Sequence, residues 1–101
     1  MQTITTHKAR ELIQEKSDNS NFQIIDVRTE EEYEMGHIEG AINIPLDRIQ
    51  AEINNLDKNK EYLLYCRTQG RSQFANQIFQ LNGFQSQFLL GGYLEWINNP
   101  N

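Results

Sequence analysis

The chain of 101 residues holds one cysteine and two histidines, too few thiols for a disulfide framework and too few ligands for a multi-cysteine metal site. No metal and no cofactor is therefore expected. No apolar run nears the roughly 18 residues that a membrane-spanning helix requires. The start, Met1-Gln2-Thr3-Ile4-Thr5-Thr6-His7-Lys8, lacks the apolar segment of a secretory signal, so a cytosolic chain without membrane contact is expected. Cations are scarce as well. Nine Lys and Arg against fourteen Asp and Glu leave a formal charge of −5 and a pI near 4.9. Such a surface repels phosphate backbones and disfavours nucleic acid as a partner. No Pro/Gly/Ser-rich linker and no internal repeat is present, so a single domain over residues 1–101 is expected, and nothing demands more than a monomer.

What is present is a series of short apolar runs, despite a mean hydropathy of only −0.69. Ala9, Leu12 and Ile13 lie at helical spacing after Thr5-Thr6, ahead of the turn-rich Ser17-Asp18-Asn19-Ser20-Asn21. Phe22 to Val27 reads as a buried strand. Thr29 with Glu32 makes a capping box, and Glu30 and Glu31 fall in a first turn where the helix dipole favours acids. That helix stops at Gly36. Ala41-Ile42-Asn43-Ile44 is a second strand, closed by Pro45. Leu46, Ile49, Ile53 and Leu56 repeat at intervals of three and four, the pattern of an amphipathic helix. Tyr62 to Cys66 is nearly continuous in apolar character, as a parallel strand covered on both faces should be. Phe74, Ala75, Ile78, Phe79 and Leu81 predict the longest helix, with Gly83 as its cap. Phe88-Leu89-Leu90 predicts the last strand, Gly91-Gly92 a tight turn, and Tyr93 to Ile97 a closing helix. Alternating strands and helices imply an α/β fold with a mainly parallel sheet and helices on both faces.

In such a sheet, ligands bind beyond the carboxyl ends of the strands, where Cys66 falls. The six residues after it, Arg67-Thr68-Gln69-Gly70-Arg71-Ser72, hold no apolar side chain but two cations and a glycine. A short loop running into a helix N-terminus turns several N–H groups toward its own centre and makes an anion cradle. The chemistry this points to is a thiolate nucleophile held by hydrogen-bond donors.

The stretch from Cys66 to Ser72 resembles the active-site loop of the rhodanese family of sulfurtransferases. Three more segments resemble that family in the same order. They are Ile25-Asp26-Val27-Arg28 with Glu32-Tyr33, then Gly36-His37-Ile38-Glu39-Gly40-Ala41-Ile42-Asn43-Ile44-Pro45, and finally Leu90-Gly91-Gly92-Tyr93-Leu94-Glu95-Trp96. The resemblance implies a three-layer domain around a five-stranded sheet. It also implies a persulfide relay. Cys66 takes sulfur from a small anionic donor such as thiosulfate and passes it to cyanide or to a thiol or protein-thiol acceptor. In that relay the backbone from Arg67 to Ser72, through Thr68, Gln69 and Gly70, forms the cradle, and Arg67 and Arg71 orient the donor. Similar loops in protein tyrosine phosphatases place five residues between cysteine and arginine. Here four separate Cys66 from Arg71, and the tighter ring suits one sulfur atom better than a phosphate or arsenate. The commonest rhodanese loops carry glycine third after the cysteine, the place of Gln69 here. A phosphatase or arsenate reductase on the same cradle, and a non-catalytic binding module, are the competing readings.

The remaining candidates read as structural. His37 is expected to hydrogen-bond backbone in its turn and His7 to be solvated. Asp26 is expected to fix local loops through Arg28 or backbone donors, Arg28 to pair with a nearby Glu such as Glu32, and Tyr93 and Trp96 to pack in the core.

Overall fold

A computed structural model describes residues 2–100; the ends of the expected domain, Met1 and Asn101, lie outside the described residues. The elements in chain order are β1 (Thr3–Ile4), α1 (Thr6–Lys16), β2 (Phe22–Asp26), α2 (Glu30–Glu34) and β3 (Ala41–Asn43). They continue as α3 (Ile49–Glu52), β4 (Glu61–Tyr65), α4 (Gly70–Leu81), β5 (Gln85–Leu89) and α5 (Gly92–Asn98). The five strands form one sheet in the order β1-β5-β4-β2-β3, every pair parallel. Parallel neighbours cannot be joined by a hairpin, so each connection crosses a face and carries a helix with it.

Residue alternation along β4 sorts the core into two halves. Tyr62, Leu64 and Cys66 join Ile25, Val27, Ile49, Ile53, Ala75, Phe79 and Phe88 on the side of α3 and α4. Leu63 and Tyr65 join Ala9, Ile24, Ile38, Ala41 and Leu89 on the other side, under α1 and α5. The three-layer α/β arrangement implied by the sequence is therefore the fold, and the central strand β4 delivers Cys66 just past its own carboxyl end.

The local signals set the element ends. The Thr5 side chain caps α1 by accepting from the Lys8 N–H at 3.3 Å. The capping box closes at α2, with Thr29 Oγ1 accepting from the Glu32 N–H at 3.2 Å and Glu32 Oε1 accepting from the Thr29 N–H at 3.0 Å. Helix α4 ends on Gly83 at φ +83°, with the Phe84 N–H reaching back to the Phe79 carbonyl and the Gly83 N–H to that of Gln80. The two phenyl rings meet there at 5.2 Å, the apolar contact that accompanies this cap.

The fifth strand of the expected sheet is β1, two residues that pair with β5 and that are too short to show a period. Two expectations are corrected. Residues 46–56 do not form one helix: a single α turn is flanked by 3-10 turns at Leu46–Arg48 and Ile53–Asn55. Ile49 and Ile53 still point inward, so the apolar spacing survives in tighter turns. Strand β5 also begins at Gln85, earlier than its apolar run suggests, because Gln85 and Gln87 ride on strand pairing with Glu61 and Leu63.

Asp26 and Arg28 form a buried ion pair at the carboxyl end of β2. The Asp26 carboxylate accepts from Arg28 Nη2 at 2.6 Å, from Nε at 3.0 Å and from the Arg28 backbone N–H at 2.9 Å. Arg28 Nη2 also donates to the Gly36 carbonyl at 2.7 Å, and the guanidinium lies 4.5 Å from the Tyr93 ring. Asp26 thus does fix local loops, but the partner of Arg28 is Asp26 and not Glu32. Removing one member of such a pair leaves a buried uncompensated charge. Asp26→Ala is therefore expected to cost about 3–5 kcal/mol, read as a lower urea midpoint with unchanged slope.

Candidate active site

Cys66 is the first residue beyond β4, and its side chain is buried against the α4 face, with 1% of the residue exposed. The loop above it, 67–70, is exposed. Two sets of bonds give this loop its path. On one side, the first turn of α5 docks on the loop carbonyls: the Tyr93 N–H donates to Cys66 O at 2.8 Å and the Leu94 N–H to Arg67 O at 3.0 Å. Because a trans peptide sets C=O and N–H in opposite directions, the N–H groups of Arg67 and Thr68 face away from α5. On the other side, α4 begins at Gly70, and its first N–H groups have no partner within the helix.

One of those N–H groups meets the sulfur. The Ser72 N–H donates to Cys66 Sγ at 3.4 Å, the Cys66 thiol donates to Ser72 Oγ at 3.5 Å, and the Ser72 hydroxyl donates to Gln69 O at 3.1 Å. Once the thiol loses its proton, rotation of that hydroxyl supplies the thiolate with a second donor. Among the described residues, Ser72 provides the only backbone donor within hydrogen-bond distance of Sγ. The cradle felt by the resting sulfur is thus narrower than the full run from Arg67 to Ser72. No residue of the loop needs left-handed backbone: the residues with positive φ are Gly36, Gly40, Gly83, Gly91 and Gly92. Gln69 sits at φ −158° as the residue before α4, which is why the place usually held by glycine tolerates a side chain here.

The two loop arginines have different surroundings. Arg71 makes a two-pronged pair with Glu32, Nη1 to Oε1 at 2.7 Å and Nη2 to Oε2 at 3.1 Å. The Arg71 guanidinium, helped by Thr29, holds the Glu32 carboxyl down to about 2. Arg67 is exposed, and no ion pair involves it among the described residues.

Two residues central to the geometry were not legible as such from sequence. Glu32 is legible as a capping-box member and as a candidate partner of Arg28, but not as the partner of Arg71, which lies 39 positions away. Gly92 was visible as half of a glycine pair, but its reason is tertiary. It holds φ +61°, and a Cβ there would lie 2.5 Å from Cys66 O and 2.6 Å from Arg67 O, with Thr68 O closer still. Only glycine lets α5 approach those carbonyls. The other tempting residues are structural. His37 Nδ1 lies 2.8 Å from Tyr33 O and its ring stacks on Tyr33. Tyr93 and Trp96 pack, half-buried, on the α1/α5 side of the core. No cluster of three or more metal-ligating side chains occurs among the described residues, and no helix there is long and apolar enough to cross a membrane.

Two outcomes test this geometry. Gly92→Ala is expected to lose about 1–3 kcal/mol and, in amide exchange, to expose the Tyr93 and Leu94 N–H groups while β4 stays protected. Glu32 is held below its ordinary range, so its contribution is complete above about pH 4.5 and fades as the pH falls toward 2. The stability advantage of the native chain over Glu32→Gln, followed by urea unfolding, should shrink across that window.

A model of the rhodanese-like domain matches residues 8–99. YqhL of Bacillus subtilis (strain 168) is 41% identical over 75 residues, which are 73% of this chain and 60% of YqhL, so this chain spans less than two thirds of that protein. The "Putative sulfurtransferase YtwF" of the same organism is 33% identical over 77% of this chain and 76% of its own length. A crystal structure of a rhodanese-like domain protein from Staphylococcus aureus matches with a TM-score of 0.82 and 35% identity, covering 95% of this chain and 91% of that one. With the cysteine loop, the parallel sheet and the glycine-pair helix all in place, the chain belongs to the rhodanese-like domain family.

Proposed function

We propose that this chain is a sulfurtransferase in which Cys66 carries sulfane sulfur as a persulfide. The observation that supports it most is the sulfur's position beyond the central strand, with the Ser72 N–H directed at it and the loop carbonyls turned onto α5. The Ser72 N–H, at the start of α4, supplies a donor to the sulfur, as an anionic sulfur requires.

The cycle has two displacements. The Cys66 thiolate attacks the outer sulfur of a small anionic donor such as thiosulfate; the new Sγ–S bond forms as the donor S–S bond breaks, and sulfite leaves with the electron pair. A thiol, protein thiol or cyanide then attacks the outer sulfur and releases the Cys66 thiolate. Burial of Cys66 is compatible with this. The S–S bond places the transferable sulfur about 2 Å beyond Sγ, so the acceptor engages the outer atom at the loop rather than the buried one. One cysteine is enough, because the second thiol belongs to the acceptor. The name of YtwF supports the same reaction type.

Incubation of the reduced protein with thiosulfate should add one sulfur atom to the intact mass, and cyanide should remove it. Cys66→Ser should show neither change. A native mass that stays fixed, or aryl phosphate turnover that depends on Cys66, would contradict the proposal.

A further inference from the structure

The loop has two guanidinium groups, but their charges are not equally available. Arg71 is held by both oxygens of Glu32, and Glu32 is itself anchored by the Thr29 N–H and hydroxyl at 3.0 and 3.2 Å. The other nearby pair, Asp26 with Arg28, is also neutral as a unit. Among the described residues, Arg67 is the loop guanidinium without an ion pair, on a chain whose formal charge is −5.

We propose that Glu32 is a specificity-determining residue which, by compensating Arg71, tunes this site to monoanionic sulfane-sulfur donors, persulfides and thiosulfonates, over dianionic thiosulfate. The inference rests on the sulfur-transfer reading above. Glu32 touches no reacting atom; it acts through Arg71, as a positioning residue. The charge balance carries the argument. When the Cys66 thiolate attacks thiosulfate, three negative charges converge, and the products are Cys66–S–S⁻ and sulfite dianion. When it attacks an alkanethiosulfonate, the same S–S exchange gathers only two negative charges and releases a sulfinate. A persulfide donor, R–S–S⁻, likewise gathers two and releases a thiolate. Coulomb energy scales with the product of charges, so one fixed carboxylate opposes a dianion twice as strongly as a monoanion. With Arg71 compensated, Arg67 is the loop guanidinium left to offset the converging charge, beside the Ser72 N–H at the start of α4.

The test compares kcat/KM for thiosulfate and for methanethiosulfonate, a monoanion of similar size, with cyanide as acceptor. Glu32→Gln keeps a residue that completes a capping box, removes the charge and ends the two-pronged hold on Arg71. It is expected to raise kcat/KM roughly tenfold for thiosulfate and roughly threefold for methanethiosulfonate, so that their ratio shifts about threefold. Arg67→Gln, at an exposed position, should shift the ratio the opposite way. Thr29→Ala, which breaks the capping box without altering charge, should leave the ratio where it is. An unchanged ratio in Glu32→Gln, or an equal shift in Thr29→Ala, overturns the inference while sulfur transfer stands. Failure of both donors to load Cys66 in the native chain overturns the sulfur-transfer reading and this inference together.

Discussion

The docking of α5 on the carbonyls of the cysteine loop is the constraint from which the rest of the site follows. Carbonyl groups at the end of a buried strand need partners, and here the N–H groups of Tyr93 and Leu94 supply them for Cys66 and Arg67. Satisfying those acceptors on the α5 side leaves the N–H edge of each peptide facing away from α5. The approach is so close that residue 92 has room for no side chain. A backbone requirement far along the sequence thereby decides which way the donors beside Cys66 point.

Two ion pairs then fix the loop's neighbours without adding net charge. Arg28, neutralised by Asp26, reaches the Gly36 carbonyl and the face of Tyr93, tying the end of β2 to both the turn after α2 and the helix that docks on the loop. Glu32 ties the first turn of α4 to the first turn of α2 through Arg71. The partly exposed Glu32–Arg71 pair adds little to stability, whereas the buried Asp26–Arg28 pair cannot lose one member without leaving an uncompensated charge. Their effect here is positional: each joins elements that approach the cysteine from different directions. The thiol is left buried beside a helix N-terminus, in a chain whose net charge is negative.

Much of this was legible in the sequence because the signals are local. The capping box at Thr29, the glycine cap after α4 and the apolar β4 each depend on residues within a few positions of one another, and each appears where its pattern points. Cys66 stood out because it ends the central strand and is followed by six residues with nothing to pack. What escaped was non-local. Strand β1 exists only by pairing with β5, across most of the chain. Arg28 is expected to pair with Glu32 but turns to the carboxylate two residues back, and Arg71 takes Glu32 from across the fold, a pairing that no local pattern encodes. The turns around Ile49 kept the helical spacing but not the helical hydrogen bonds, since apolar spacing reports which side faces the core and not how tightly the backbone is wound.

The most direct test of the account is a crystal structure of the protein loaded with sulfur. The account predicts a second sulfur bonded to Cys66 Sγ, within hydrogen-bond distance of N–H groups contributed by the loop and the start of α4, with the α5 contacts to Cys66 and Arg67 intact. A loaded protein in which Cys66 is bare, or in which the added atom turns away from those N–H groups, would contradict it.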